Sequence, residues 1–371
     1  MTPGTKKPDI SGLRVAHVVA TDAFAGSERY AANLAIGLSR AGAEVTLIGG
    51  DPGPMRSALA EVGEDVVHLP ASGLTSSWAR LRRLGKRDIV HAHLTTAEVA
   101  AVLAFPTRSH TVLVSTRHIA ARRGSSMLGQ IAAPAVRARL DGQLAPSTYV
   151  AERIDGPCVV VPTGVADADQ GTHDQPVVIV VQRLEAEKDT TTALRAWAAS
   201  GLAGRGWEML VAGTGSEGEA LHELALELGI EGSCNFVGRV EDVPQRLARS
   251  GLMLATATCD SFGLAVVEAM ACGLPVVAAA AGGHLETIGP VAGAALFPAR
   301  DYIAAAALLR RLAEDGSDRA AYGAQLRERQ RHEYSLSAFV DRVAAWYLDV
   351  LGPRNSRSSQ DRAVAGQLGL P

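Results

Sequence analysis

Asp260 and Glu268 stand eight positions apart in the run CDSFGLAVVEAMACGLPVVAA, residues 259 to 279. Between Ser261 and Gly283 the only charged side chain is Glu268, and its neighbours Phe262, Leu264, Val266, Val267 and Met270 are apolar. Burying an unpaired carboxylate costs several kcal/mol or forces its protonation. Glu268 therefore needs donors, and ligand hydroxyls would supply them. The alternative is a carboxylate that reaches a surface edge or pairs with an arginine. The pattern predicts a helix over 262–272, with Asp260 or Ser261 as its cap, Gly273 in the left-handed C-terminal position and Pro275 beyond. In that helix the N–H groups of Phe262, Gly263 and Leu264 are unsatisfied and attract an anion, phosphate above all.

Arg183 and Lys188 flank the turn after the apolar run VVIVV (177–181). Two cations at a strand's carboxyl end suit a diphosphate, whose charge rises as a bond to it breaks. The alternative is a solvated loop. Only four of the 36 basic residues are lysines, and Lys188 is the last of them, a small hint that its position needs an ammonium. Gly26, in AGSER, permits close backbone approach to a phosphate or an acceptor, and Ser27 can cap the helix that follows. His118 lies just past the strand TVLVS. His91 and His93 share one strand face and could bind a metal with a third ligand, though packing is the preferred reading. Gly213, Gly215 and Gly218 form G-x-G-x-x-G, the dinucleotide fingerprint. No acidic residue ends the next strand, where Gly238 and Arg239 stand instead, and the unit is not the first in the chain, so a nicotinamide-dependent enzyme is disfavoured.

These residues need rigid elements to hold them. Short β-branched runs alternate with longer Ala/Leu-rich segments, the pattern of βαβ units and a parallel sheet. A first set of strands runs from 14–19 to 158–165, and a second from 176–181 to 294–298, with the polar stretch ADADQGTHDQ (166–175) between them. The predicted division is 1–168, 169–334, a helix over 335–352, and a tail, 353–371, without a periodic apolar face and expected to lack order. Ligands in such α/β proteins bind at the carboxyl ends of strands and between domains.

With 371 residues, 47% hydrophobic and 20% charged, the chain is long enough for two globular domains. A net charge of −3 argues against a nucleic-acid partner, and no apolar run reaches membrane-spanning length. The start MTPGTKKPDISG has no apolar core behind its lysines, so no signal peptide is expected. Cys158, Cys234, Cys259 and Cys272 show no metal-ligand spacing and read as reduced core residues of a cytoplasmic protein. The segment 78–87 (WARLRRLGKR) carries five basic residues and no acid, and Arg117, Arg122 and Arg123 add charge to the same domain. A solvated helix is the default reading; docking on an anionic membrane face is the alternative.

DSFGLAVVEAMACGLPVVA resembles the signature of the family-4 retaining glycosyltransferases of the GT-B fold. QRLEAEK is similar to that family's diphosphate-gripping Arg and Lys element, with Gln182 where glycine is usual, and AGSE resembles its opening glycine loop, with Ser27 in place of the second glycine. The resemblance covers roughly residues 13 to 350. It implies two Rossmann-like parallel-sheet domains facing an interdomain cleft, with the final helix crossing back to the first domain. Glu268 would bind the nucleotide's ribose hydroxyls, Asp260 the donor sugar, Arg183 and Lys188 the diphosphate. Phe262, Gly263 and Leu264 would face the sugar and diphosphate, Gly213, Thr214 and Gly215 would wall the donor site, and His118 would lie near the bond that changes. Asp260 is a departure, one methylene shorter than the family's Glu. The implied activity is retaining transfer of a hexosyl or N-acetylhexosaminyl group. It moves from a nucleotide-sugar co-substrate, a UDP-sugar, to a hydroxyl of a small-molecule or lipid acceptor, with no metal and no other cofactor. A nucleotide-sugar epimerase, a phosphorylase, or a silent nucleotide-sugar-binding partner are the alternatives on the same fold.

Overall fold

The structure, a computed structural model, describes residues 7–60, 66–106, 110–124 and 127–367. The chain divides into two compact units, Met1–Pro162 with Leu336–Pro371, and Thr163–Ser335. The junction falls six residues ahead of the predicted boundary at 168/169. The reason is local: Val165 bridges to Ser335 and its N–H donates to Tyr334 O at 3.0 Å, so this segment belongs to the second unit before the polar stretch begins.

Among the described residues the first unit holds β1 (Arg14–Val19), β2 (Glu44–Ile48), β3 (Val67–Leu69), β4 (Ile89–His93), β5 (Val112–Thr116), β6 (Gly142–Ala145) and β7 (Val159–Val160). They form one parallel sheet in the order β3-β2-β1-β4-β5-β6-β7. Strands β4 and β5 are buried at every position, as a sheet covered by helices on both faces requires. The predicted strand 158–165 keeps only two strand residues, both exposed.

The helix Leu336–Gln367 closes the first unit. Phe339, Val340, Val343, Trp346 and Tyr347 pack there with Tyr30, Leu34, Leu38 and Val15. Each large side chain buried in such a cluster contributes roughly 1.5–3 kcal/mol. Gly37 lets the helix approach, since a Cβ there would collide with the Val340 side chain. The helix assignment runs to Gln367. The side chains of the whole predicted tail, 353–371, lie outside the described residues.

The second unit holds β8 (Gln175–Val181), β9 (Glu208–Ala212), β10 (Cys234–Gly238), β11 (Ser250–Ala255), β12 (Val276–Ala279) and β13 (Ala295–Phe297) among the described residues. This sheet is also parallel, in the order β10-β9-β8-β11-β12-β13. A single continuous core runs through it. In both sheets the strand order reverses beside the first strand, between β1 and β4 and between β8 and β11. Crevices at such points bind ligands in open α/β sheets.

Two expectations about surface chemistry are corrected. Cys259 is exposed, while Cys234 and Cys272 are buried; it sits in the loop after β11, beyond the strand that would have covered it. Arg117 and Arg123 are not surface charge but are each 5% exposed. Both pair with the fully buried Glu98, which a reading of local charge density cannot reveal. No helix among the described residues is long and apolar enough to cross a membrane.

Candidate active site

The loops after β8 and β11 meet at the switch point of the second unit. Lys188 ends a short 3-10 turn, Ala186–Lys188, and its Nζ donates to Asp260 Oδ2 at 2.6 Å. Both side chains are about one-fifth exposed, 17% and 21%. Burial opposes charge on Asp260, but the Lys188 ammonium, His284 and the Phe262 amide outweigh it and hold the carboxyl down at about 2. The other carboxylate oxygen accepts from Phe262 N at 3.2 Å and Gly263 N at 2.9 Å.

That geometry corrects the prediction for this helix. It begins at Leu264 rather than Phe262, after Gly263 at φ +84. The Phe262 and Gly263 amides are not left for an anion, because Asp260 turns back and takes both. A short side chain two and three residues ahead of an amide forms such a local bond readily.

Glu268 is half-buried rather than enclosed. Leu264, Ala265 and Glu268 form one partly open stripe, while Val266, Val267, Ala269, Met270, Ala271 and Cys272 are buried. The helix is thus apolar on its packed side and carries its carboxylate on the accessible stripe. Apolar residues at 264 and 265 suggest burial all round, but both are partly open.

The structure brings Lys188, Asp260, Phe262 and Gly263 together. Arg183 stands in a more open position: its side chain is 60% exposed and donates to Glu187 Oε1 at 2.6 Å. Gly213 and Gly215 are required by packing, since a Cβ on either would overlap the backbone carbonyl of Gln182 or Leu184. Leu184 N donates to Thr214 O at 3.0 Å, which binds the same two turns side by side. Gly218, third in the fingerprint, has only Leu184 Cδ1 at 3.9 Å from the place of a Cβ.

Several residues that hold this site were not anticipated. Gln182 Nε2 donates to Lys188 O at 3.0 Å and Thr190 Oγ1 at 2.9 Å, and Thr256 Oγ1 donates to the same Lys188 carbonyl at 2.8 Å. The departure from glycine at 182 thus anchors the backbone of Lys188. Gly283 N donates to Asp260 O at 2.8 Å, and buried His284 lies 3.0 Å from where a Cβ on Gly263 would stand. The pair Gly282-Gly283 before a histidine was the available signal: a Cβ on either would overlap the 260–262 backbone.

In the first unit Gly26 opens the helix Gly26–Arg40. A Cβ there meets no protein atom within 4 Å, so space rather than packing surrounds it. Ser27 does not cap the helix; its hydroxyl donates to Glu28, whose carboxylate also accepts from Ala25 N at 3.0 Å and Thr21 Oγ1 at 2.6 Å. His118 lies two residues past β5. Its loop is clamped by Arg117 and Arg123, the latter doubly bonded to Glu98 at 2.6 and 2.8 Å and to Asp155 at 2.8 Å.

His17, His91 and His93 bring ring nitrogens within 4.8 Å of one another, close enough to hold a metal ion. Most of their nitrogens already carry hydrogen bonds, His17 Nε2 excepted. His91 bonds Tyr347 OH at 2.6 Å and Thr116 Oγ1 at 2.7 Å, and His17 Nδ1 bonds His93 Nε2 at 3.0 Å.

Two family models match, Glycosyltransferase Family 4 over residues 24–169 and Glycosyl transferases group 1 over residues 166–329. The chain belongs to glycosyltransferase family 4. It is similar to the N-acetyl-alpha-D-glucosaminyl L-malate synthase of Bacillus anthracis, 31% identical over 39% of this chain and 38% of that protein. It is also similar to the D-inositol 3-phosphate glycosyltransferase of Salinispora tropica, 37% identical over 36% of this chain and 27% of that one. These alignments span less than half the length of either relative. Among solved structures it is similar to Anabaena Alr3699/HepE in complex with UDP and glucose, with a TM-score of 0.73, 19% identity, and 90% and 98% of the two chains covered. The sucrose-phosphate synthase of Thermosynechococcus elongatus gives the same TM-score at 19% identity, covering 92% and 100%. These likenesses identify the fold as GT-B.

Proposed function

We propose that this protein is a retaining glycosyltransferase that moves a hexosyl or N-acetylhexosaminyl group from UDP to a hydroxyl of a small-molecule or lipid acceptor. The observation that carries the reading is the Lys188–Asp260 pair at the β8/β11 switch point, with Glu268 on the open stripe of the adjoining helix. Lys188 supplies positive charge to the leaving diphosphate, Arg183 adds to it from its exposed position, and Glu268 accepts from the ribose hydroxyls. Because Lys188 and Arg183 meet the developing charge, the protein itself takes the role a metal would otherwise fill. The Anabaena relative solved with UDP supports the choice of nucleotide. Two relatives named for L-malate and D-inositol 3-phosphate support a small hydroxylated acceptor. The reaction would take place in the cytoplasm.

A lipid-linked acceptor would be reached through segment 78–87, where Trp78 is 42% exposed beside the exposed Arg80, Arg82, Arg83 and Lys86. Flotation with anionic vesicles tests that arm alone.

Calorimetric titration with UDP and GDP, followed by mass spectrometry of products from candidate acceptors, tests the reading. Lys188→Ala and Glu268→Ala should each lose at least tenfold in UDP affinity or turnover. Unchanged kinetics in both would remove the site assignment, and turnover of UDP-sugar without acceptor would point to an epimerase.

A further inference from the structure

Three imidazoles of the first unit form a hydrogen-bonded line from the core to the end of β5. His17 Nδ1 lies 3.0 Å from His93 Nε2, and His93 Nδ1 lies 3.1 Å from His118 Nε2. His17 and His93 are fully buried, and His118 is half-buried. His17 Nε2, at the inner end, is buried with no partner. His118 Nδ1, at the outer end, has no protein partner among the described residues. His91 stands beside this line, bonded instead to Tyr347 and Thr116.

Burial pushes His17 and His118 down to about 3, with the neighbouring Arg117 charge adding to the effect on His118. His93 lies well below its ordinary value for the same reason, with His91, His17 and His118 contributing. Each ring is therefore neutral and carries one N–H. Three protons shared over two links allow only two consistent arrangements. In one, every proton is on Nδ1: His17 donates to His93, His93 donates to His118, and His118 Nδ1–H is left as a donor. In the other, every proton is on Nε2, each link runs the opposite way, and His118 Nδ1 is left as an acceptor. Any mixed arrangement puts two hydrogens, or none, between a pair of nitrogens.

The two arrangements differ at the inner end. The second buries the His17 Nε2–H with no acceptor; the first buries only a lone pair there. Orphaned N–H groups are the rarer defect in folded proteins. We infer that His17 and His93 are positioning residues that lock His118 in its Nδ1–H tautomer, so that His118 acts as a neutral hydrogen-bond donor to a substrate oxygen and not as a base. The inference rests on the proposed reading for the substrate role of His118, while the tautomer itself does not depend on it.

Nitrogen NMR of the full-length protein labelled at histidine reads the tautomer directly and needs no variant. The expected result is a protonated Nδ1 and an unprotonated Nε2 on His118 between pH 5 and 8. A protonated Nε2 overturns the inference. His93→Phe keeps a ring but removes the donor; it should lower kcat about tenfold and leave KM for the nucleotide sugar within twofold. His93→Gln, whose amide can donate, should restore part of kcat. Loss of activity in His118→Ala with an unaltered His93→Phe enzyme would sink the positioning role and leave the glycosyltransferase reading intact. An unaltered His118→Ala enzyme with the Nδ1–H signal present would remove His118 from the substrate site and leave the tautomer standing.

Discussion

Asp260 has three engagements in a site where a longer Glu is the family's usual residue. One oxygen holds Lys188, the other holds two backbone amides, and its own carbonyl receives Gly283 N–H. On the proposed reading, a carboxylate so placed neutralises the cation that would meet the diphosphate. Asp260→Asn keeps an acceptor for the amides and removes the charge, so UDP should bind several-fold tighter in calorimetry while transfer falls at least tenfold. Weaker UDP binding in that variant would mean that Asp260 orients Lys188 rather than competing for it. The same group has a stability signature. Its pKa is depressed from 3.8 to about 2, so its contribution is full above the unfolded value and is lost as pH falls through the folded one. The shift corresponds to about 2 kcal/mol at most. Urea unfolding should show wild type more stable than Asp260→Asn at pH 5 to 7, with the gap shrinking below pH 3.8.

At the scale of elements, the site is a zipper of four loops, after β8, β9, β11 and β12, and small residues mark where they touch. Gly213, at φ +153, lies against Gln182 O, and Gly263, at φ +84, lies against His284. Gly213→Ala should cost about 3 kcal/mol or more, because backbone meets backbone and neither can yield. Gly218→Ala begins a helix in open space and should be neutral or stabilising by about 0.5–1 kcal/mol. Thermal unfolding of the two variants separates a packing requirement from a nucleotide fingerprint; equal losses would argue for the fingerprint. The contrast also shows what the amino-acid order discloses. The alternation of β-branched runs with helical segments gives both parallel sheets, and the apolar run around Glu268 gives the helix that carries it. Contacts across long separations stay hidden. Gln182 looked like a mild departure until Thr256 and Lys188 were beside it, and Arg117 and Arg123 looked like surface charge until Glu98 was. Local bonds misled in the other direction: with a helix start placed at Phe262, the Phe262 and Gly263 amides read as free, whereas Asp260 accepts from both.

At the scale of the whole molecule, Lys188, Asp260, Glu268 and the loops that hold them all belong to Thr163–Ser335. That unit has one continuous core, whereas the histidine line belongs to Met1–Pro162 with the closing helix. A ligand stabilises the structure it binds, by about 2.7 kcal/mol at a hundredfold excess over its dissociation constant. UDP without an acceptor should therefore slow amide exchange in 182–190, 256–264 and 281–287, and leave 20–28 and 117–124 unchanged. Local opening free energies differ across a structure, so exchange resolves these segments where a single melting temperature cannot. Lys188→Ala should abolish the protection in all three segments together, because the loops are bonded to one another through Gln182, Thr256 and Asp260. Protection that appeared first around Gly26 or His118 would move the nucleotide to the other unit and dissolve the assignment of Glu268 to the ribose.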